Sequence, residues 1–216
     1  MTVRLTLILV LMVLPGFSTH ALAADRCQAL IGTCAYYSCV DQERLSCGDK
    51  GYAIGYGRRY CEKFSALQFT PSFPGAESAV FPDSGNDWRD SVRTCLQEDM
   101  EAFFESDQPK DCSSLRAFAF GSHPRCYTEG PSFCALKPQS VIRIGLTIQG
   151  DLLTAESLQQ VRDTAQICVA QLEERIDSES NAFVRWNLQQ YQGIWRLVSI
   201  DPSRLPSLLK PYQLGE

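Results

Sequence analysis

Ten cysteines and a histidine among them are the side chains of this chain with the most chemistry to offer. The cysteines are Cys27, Cys34, Cys39, Cys47, Cys61, Cys95, Cys112, Cys126, Cys134 and Cys168, and the histidine is His123. A cysteine can be a thiolate nucleophile, a metal ligand or half of a disulfide, and each use leaves its own spacing. Structural zinc sites draw on close ligand pairs. No Cys-x-x-Cys pair occurs here, and His123, the one of the two histidines that lies among the cysteines, adds little to a ligand set. A nucleophile requires a free thiolate, whereas an even number of cysteines can pair completely. The expectation is five disulfides that hold a fold together, with no catalytic residue, no metal site and no cofactor.

Other groups weaken as candidates when placed in context. His123 lies in Gly121-Ser122-His123-Pro124, and the proline predicts a helix end, which makes His123 a surface or capping residue. No Gly-x-Ser-x-Gly elbow is present to pair with it. Asp83-Ser84-Gly85-Asn86-Asp87 is rich in oxygen but lacks the alternating acids and distal glutamate of a calcium loop. It reads as a capped entry to a helix. Glu98, Asp99, Glu101 and Glu105 read as a solvated helix face, and so do Glu173 and Glu174 beside Arg175. Tyr52, Tyr56 and Tyr60 fall four apart among glycines, a spacing that suits a core stripe or the rim of a binding site.

The elements that carry these residues are mostly helices. Asp25 is placed to cap a first helix running through Cys34 toward Cys39, with Cys27 and Cys34 on one face. Gly48 to Gly57 reads as a glycine-rich turn, followed by a helix with Tyr60, Cys61, Phe64 and Leu67 on one side. Gln68 to Gly85, with three prolines, reads as a long loop. Asn86 is the expected cap of a helix striped by Trp88, Val92, Cys95, Leu96, Met100 and Phe103. Asp111 suits the cap of a short helix bearing Leu115 and Phe118. Val141 to Leu146, rich in β-branched residues, reads as a short extended segment. Thr154 starts the longest helix, striped by Leu158, Val161, Ala165, Cys168, Leu172 and Ile176. The tail from Asn181, with Trp186 and Trp195, reads as a last helix. The fold class expected is a disulfide-rich, mostly α domain.

The N-terminus sets the expected compartment. Arg4, the apolar run Leu5 to Leu14, the break at Pro15-Gly16 and the small residues around Ala21-Leu22-Ala23 have the order of a secretory leader. The expected organisation is a signal peptide over 1–23, a disulfide-stabilised helical domain over 24–178, and a C-terminal helix and tail over 179–216. Without the leader, 19 Lys+Arg stand against 25 Asp+Glu, a formal charge of −6. That balance argues against a nucleic-acid partner, and no later stretch is apolar enough to span a membrane.

The order of the cysteines resembles that of the stanniocalcins, a family of secreted, helical, hormone-like proteins. The resemblance runs from 27 to 168. It rests on Gly32-Thr33-Cys34-Ala35-Tyr36-Tyr37-Ser38-Cys39, Tyr60-Cys61-Glu62-Lys63-Phe64 and Arg93-Thr94-Cys95-Leu96, then on Cys112, the Cys126-Tyr127 step, Cys134 and Cys168. It implies the pairing Cys27–Cys39, Cys34–Cys61, Cys47–Cys112, Cys95–Cys126 and Cys134–Cys168, which spacing alone leaves open. It also implies a non-enzymatic extracellular factor with a protein partner, linked in the family to calcium and phosphate homeostasis. The family's later cysteine, which joins two subunits, has no counterpart after Cys168, so no disulfide-linked dimer is expected. The alternatives are a secreted inhibitor or effector, or a small hydrolase of phospholipase A2 type. For the hydrolase, Gly51 to Gly57 imitates the calcium loop, but no histidine follows within a helix turn or two.

Overall fold

A computed structural model describes residues 26–210. The leader, the Asp25 cap and the end of the tail therefore lie outside the described residues. Among the described residues every regular element is helical and no strand occurs. The main helices are α1 (Ala35–Val40), α2 (Arg59–Ser65), α3 (Ala76–Val80), α4 (Gly85–Glu105), α5 (Cys112–Thr128), α6 (Pro138–Ile148), α7 (Ala155–Ser178), α8 (Ala182–Ile200) and α9 (Leu205–Leu209). Five disulfides join Cys27 to Cys39, Cys34 to Cys61, Cys47 to Cys112, Cys95 to Cys126 and Cys134 to Cys168. Their Cα–Cα separations run from 4.9 to 5.9 Å, within the span that a disulfide can bridge.

The long helices follow their sequence signals. Thr154 caps α7 by accepting from the Ser157 amide, and Asn181 caps α8 by accepting from the amides of Phe183 and Val184. Asp111 caps α5 through the amides of Ser113 and Ser114. The first helix breaks, however. Gly32 adopts a φ of +88°, which a side chain would resist, and the helix proper begins only at Ala35. The Gln97 side chain holds this break against α4, accepting from the Gly32 amide and donating to the Thr33 carbonyl. The Gln68 to Gly85 loop contains the short helix α3. Ser84, not Asn86, caps α4, while the Asn86 amide bonds both backbone groups of Phe69.

Two larger corrections concern the site. Val141 to Leu146 is not extended but lies inside α6. Pro138 starts that helix, and Val141, Ile144, Gly145 and Ile148 share one face at spacings of three and four. Burial of that face outweighs the β preference of its branched residues. Similarly, α5 is not short. It runs for 17 residues and carries Pro124 in its interior. The glycine-rich turn becomes a 3-10 turn at Gly48–Lys50 and a π-helical stretch at Ala53–Arg58 that runs directly into α2.

Gly57 shows why that stretch needs glycine. A Cβ there would stand 2.5 Å from the ring carbons of Tyr37, which is almost fully buried. Alanine's better helix propensity recovers at most about 1 kcal/mol of the resulting crowding. Gly57→Ala is therefore expected to cost roughly 1–2 kcal/mol net, read from the urea midpoint. An unchanged midpoint would mean that Tyr37 is free to move aside.

Candidate ligand cavity

Three apolar clusters form the interior. The first gathers Tyr36, Tyr37, Tyr52, Met100, Phe103 and Leu115 among others, under the bridges of the N-terminal half. The second holds Cys134, Cys168, Leu172, Leu188, Tyr191 and Trp195, where α7 and α8 pack along each other. The third, smaller, contains Phe69, Trp88, Val92, Leu136 and Ile144. The clusters do not fill the space where they meet. A cavity of about 130 Å³ remains, and its wall takes residues from all three. For scale, a protein cavity of roughly 150 Å³ accommodates benzene.

Each wall has a reason in local structure. Tyr52 at the cap of the π-helical stretch, Tyr56 within it and Tyr60 on α2 follow one another along the wall, with ring centroids 5.7 and 4.6 Å apart. The tyrosine stripe is therefore both core and cavity wall. From α4 come Trp88, Val92 and Leu96, and the Trp88 indole is anchored on the Tyr127 carbonyl at 3.0 Å. The apolar face of α6 supplies Val141, Ile144 and Ile148, so the β-branched segment forms part of the wall. On α7, Ser157, Gln160, Val161 and Thr164 recur at helical spacing, and α8 contributes Trp195. Exposed Ser65 and partly exposed Asp151 belong to the same wall, which connects the cavity to solvent.

His123 lies in this wall and has no exposed surface, contrary to its expected place at a helix end. The helix continues through Pro124 because tertiary partners hold the imidazole on both sides. Tyr52 Oη lies 2.8 Å from Nε2, and Gln160 Oε1 lies 3.0 Å from Nδ1. An amide oxygen only accepts, so the network places the proton on Nδ1, where Tyr127 Oη at 3.1 Å is a second acceptor, and Nε2 accepts from Tyr52. Burial pushes the His123 pKa down to about 4, and the bond to Gln160 offsets part of that shift. At neutral pH the ring is therefore an uncharged, fixed part of the wall. Burial also raises the pKa of Tyr52, Tyr56 and Tyr127 far above the ordinary phenol range, so their hydroxyls stay protonated.

The other sequence candidates take structural positions. All ten cysteines are bridged. Cys95, Asp99 and Cys126 lie close together, but the two sulfurs form one disulfide and Asp99 pairs with Arg125. A disulfide is not a thiolate ligand. In the oxygen-rich loop, Asp83 accepts from the Ser132 amide at 2.5 Å and Ser84 caps α4. Glu101 is not on a solvated face. It pairs with Arg44 at 2.9 Å, with both side chains mostly buried, and accepts from Tyr36 Oη at 2.6 Å.

Sequence reasoning missed the polar groups of the wall. Gln160, Thr164 and Ser157 are buried, although they lie beside the predicted apolar stripe of α7 rather than on it. The fold and the site thus define a disulfide-rich helical domain with an aromatic-walled cavity. Compared with known proteins, the chain matches no family model, no curated protein and no solved structure.

Proposed function

We propose that the protein is an exported, non-enzymatic binding factor, stanniocalcin-like in its cysteine order, whose cavity takes a small apolar molecule. The observation that carries this reading is the cavity itself, an interior space of about 130 Å³ walled by aromatic and aliphatic side chains. Ligand sites are typically apolar recesses with a few polar groups. The residues with reactive potential support binding over catalysis. The thiols are consumed in bridges, and His123 is neutral and bonded on both ring nitrogens. A general base needs a pKa near the working pH and reach to a substrate proton. Five bridges fit an oxidising compartment, where disulfides form and persist.

Benzene is a suitable probe, because the space of about 130 Å³ is close to that of a cavity known to hold it. Titration into the intact protein, followed by methyl NMR, should show saturable one-to-one binding with a dissociation constant of about 1 mM or tighter. The shifts should concentrate on Val92, Ile144 and Val161, which line the cavity. Val161→Phe, which fills the space, should abolish the shifts while the fold persists. Absence of saturable binding to the wild-type protein would overturn the reading.

A further inference from the structure

We propose that the cavity is built for a benzene-sized molecule carrying one hydrogen-bond-accepting oxygen, held by the Gln160 amide, the Thr164 hydroxyl and the Trp195 indole. This rests on the ligand-site reading above and adds the polarity of the ligand. The motivating fact is a concentration of unpaired donors. Arg93 Nε, Gln160 Nε2, Thr164 Oγ1 and Trp195 Nε1 are all buried without a hydrogen-bond partner, and all four residues line this one cavity. Folded proteins rarely leave buried polar groups unmade, because each such group loses its hydration without compensation. Several around one apolar space point to an occupant that completes them.

Placement supports a common target. Gln160 and Thr164 are four residues apart on α7, so they stand one above the other on one face. The α7 and α8 helices are joined by a short turn and run antiparallel. Gln192 on α8 donates to the Val169 carbonyl on α7 at 3.0 Å, which sets the register of the pair. Trp195, three residues further along α8, therefore comes level with the turn of α7 that carries Thr164. These three residues are each more than nine-tenths buried.

The donors decide the chemistry. An indole N–H and an amide NH2 only donate, and a threonine hydroxyl donates or accepts. The Gln160 carbonyl oxygen is already engaged by His123. The complementary group is therefore an acceptor, such as a ketone, aldehyde or ester oxygen. A carboxylate would accept equally well, but its charge needs a counter-ion when buried. The two arginines of the wall, Arg89 and Arg93, share the single carboxylate of Asp90, Arg93 Nε has no partner, and His123 is neutral. Two guanidinium groups against one carboxylate leave one positive charge in excess, so the accepting oxygen belongs to a carbonyl or to a carboxylate.

Three probes of nearly the same shape separate these statements. Acetophenone has the ketone oxygen, α-methylstyrene replaces it with a CH2 group, and benzoate carries a charge. In calorimetric titrations of the intact protein, acetophenone should bind at least about 10-fold more tightly than α-methylstyrene. It should also shift the Trp195 indole N–H resonance, which α-methylstyrene should leave in place. Thr164→Val keeps the shape and removes the hydroxyl. It should melt no lower than the wild type and should narrow the ketone preference by about 3-fold or more. Equal or stronger binding of α-methylstyrene would overturn the proposed polarity while leaving the cavity a ligand site. The tighter of acetophenone and benzoate shows whether the accepting oxygen belongs to a carbonyl or to a carboxylate. Failure of all three probes would overturn the ligand-site reading and this inference together.

Discussion

Replacing Cys134 and Cys168 together with alanine is expected to lower the melting temperature by roughly 10–15 °C. The bridge closes a loop of 34 residues, and the chain-entropy account gives about 4 kcal/mol for a loop of that length. The Cys47–Cys112 bridge spans 65 residues, yet loop entropy grows only logarithmically and the difference is about 0.6 kcal/mol. Burial makes the shorter bridge the more consequential one. Both of its sulfur-bearing residues are at most 2 % exposed and sit in the core that α7 and α8 share. Losing both sulfurs leaves a void that adds roughly 1 kcal/mol. Alanine is the better replacement here, because serine would bury a hydroxyl without a partner. Hydrogen exchange should show loosening of α7, α8 and the segment after Cys134. The cluster around Tyr36, Tyr52 and Met100 should stay protected, since three other bridges surround it. A double variant that melts within a few degrees of the wild type would show that the pair contributes no tether.

The parts of this fold that were legible in the sequence are those decided locally. The helices α4, α7 and α8 announce themselves by apolar residues at helical spacing, and Asp111, Thr154 and Asn181 mark starts that a side-chain oxygen creates on its own. The misread segments are those where distant contacts prevail. Local preference gave Val141 to Leu146 to an extended segment, because branched residues lose rotamer freedom in a helix. Its helical face instead buries Ile144 and Gly145. Local preference also ended a helix at His123-Pro124. The hydrogen bonds of His123 with Tyr52 and Gln160, 71 and 37 residues away in sequence, hold that helix together.

The cavity was illegible for a related reason. An unfilled space belongs to no element, since it arises where three clusters meet and none supplies enough volume. The tyrosine stripe was visible by its four-residue spacing, and its rings belong to the core and line the cavity. The donors were not visible. A glutamine and a threonine beside an apolar stripe look the same in sequence whether they face water or an interior space. Only burial separates the two cases. Which cysteine meets which was likewise beyond spacing, because partners lie from 12 to 65 residues apart and tertiary packing brings them together.

Acid should weaken the fold through His123 over a window that the buried ring defines. Its pKa is held down to about 4, against an ordinary value of 6.5, chiefly by burial. Above pH 6.5 the ring is neutral in both the folded and unfolded chains and contributes no pH dependence. Between pH 6.5 and 4 the unfolded chain takes up a proton that the folded chain refuses, so stability falls as pH falls. Below about pH 4 both forms are protonated and the loss is complete. The full change is about 3 kcal/mol. Carboxylates held low by partners, such as Asp111 and Glu156, also weaken the fold in acid and would blur the signal. His123→Gln removes the titration while keeping a polar side chain for Tyr52. The difference in unfolding free energy between wild type and this variant cancels the carboxylate contribution. That difference should be flat above pH 7 and should shift by about 3 kcal/mol against the wild type between pH 6.5 and 4. A flat difference across the whole range would mean that His123 takes up its proton without opening the wall, and that the imidazole is not sealed between Tyr52 and Gln160.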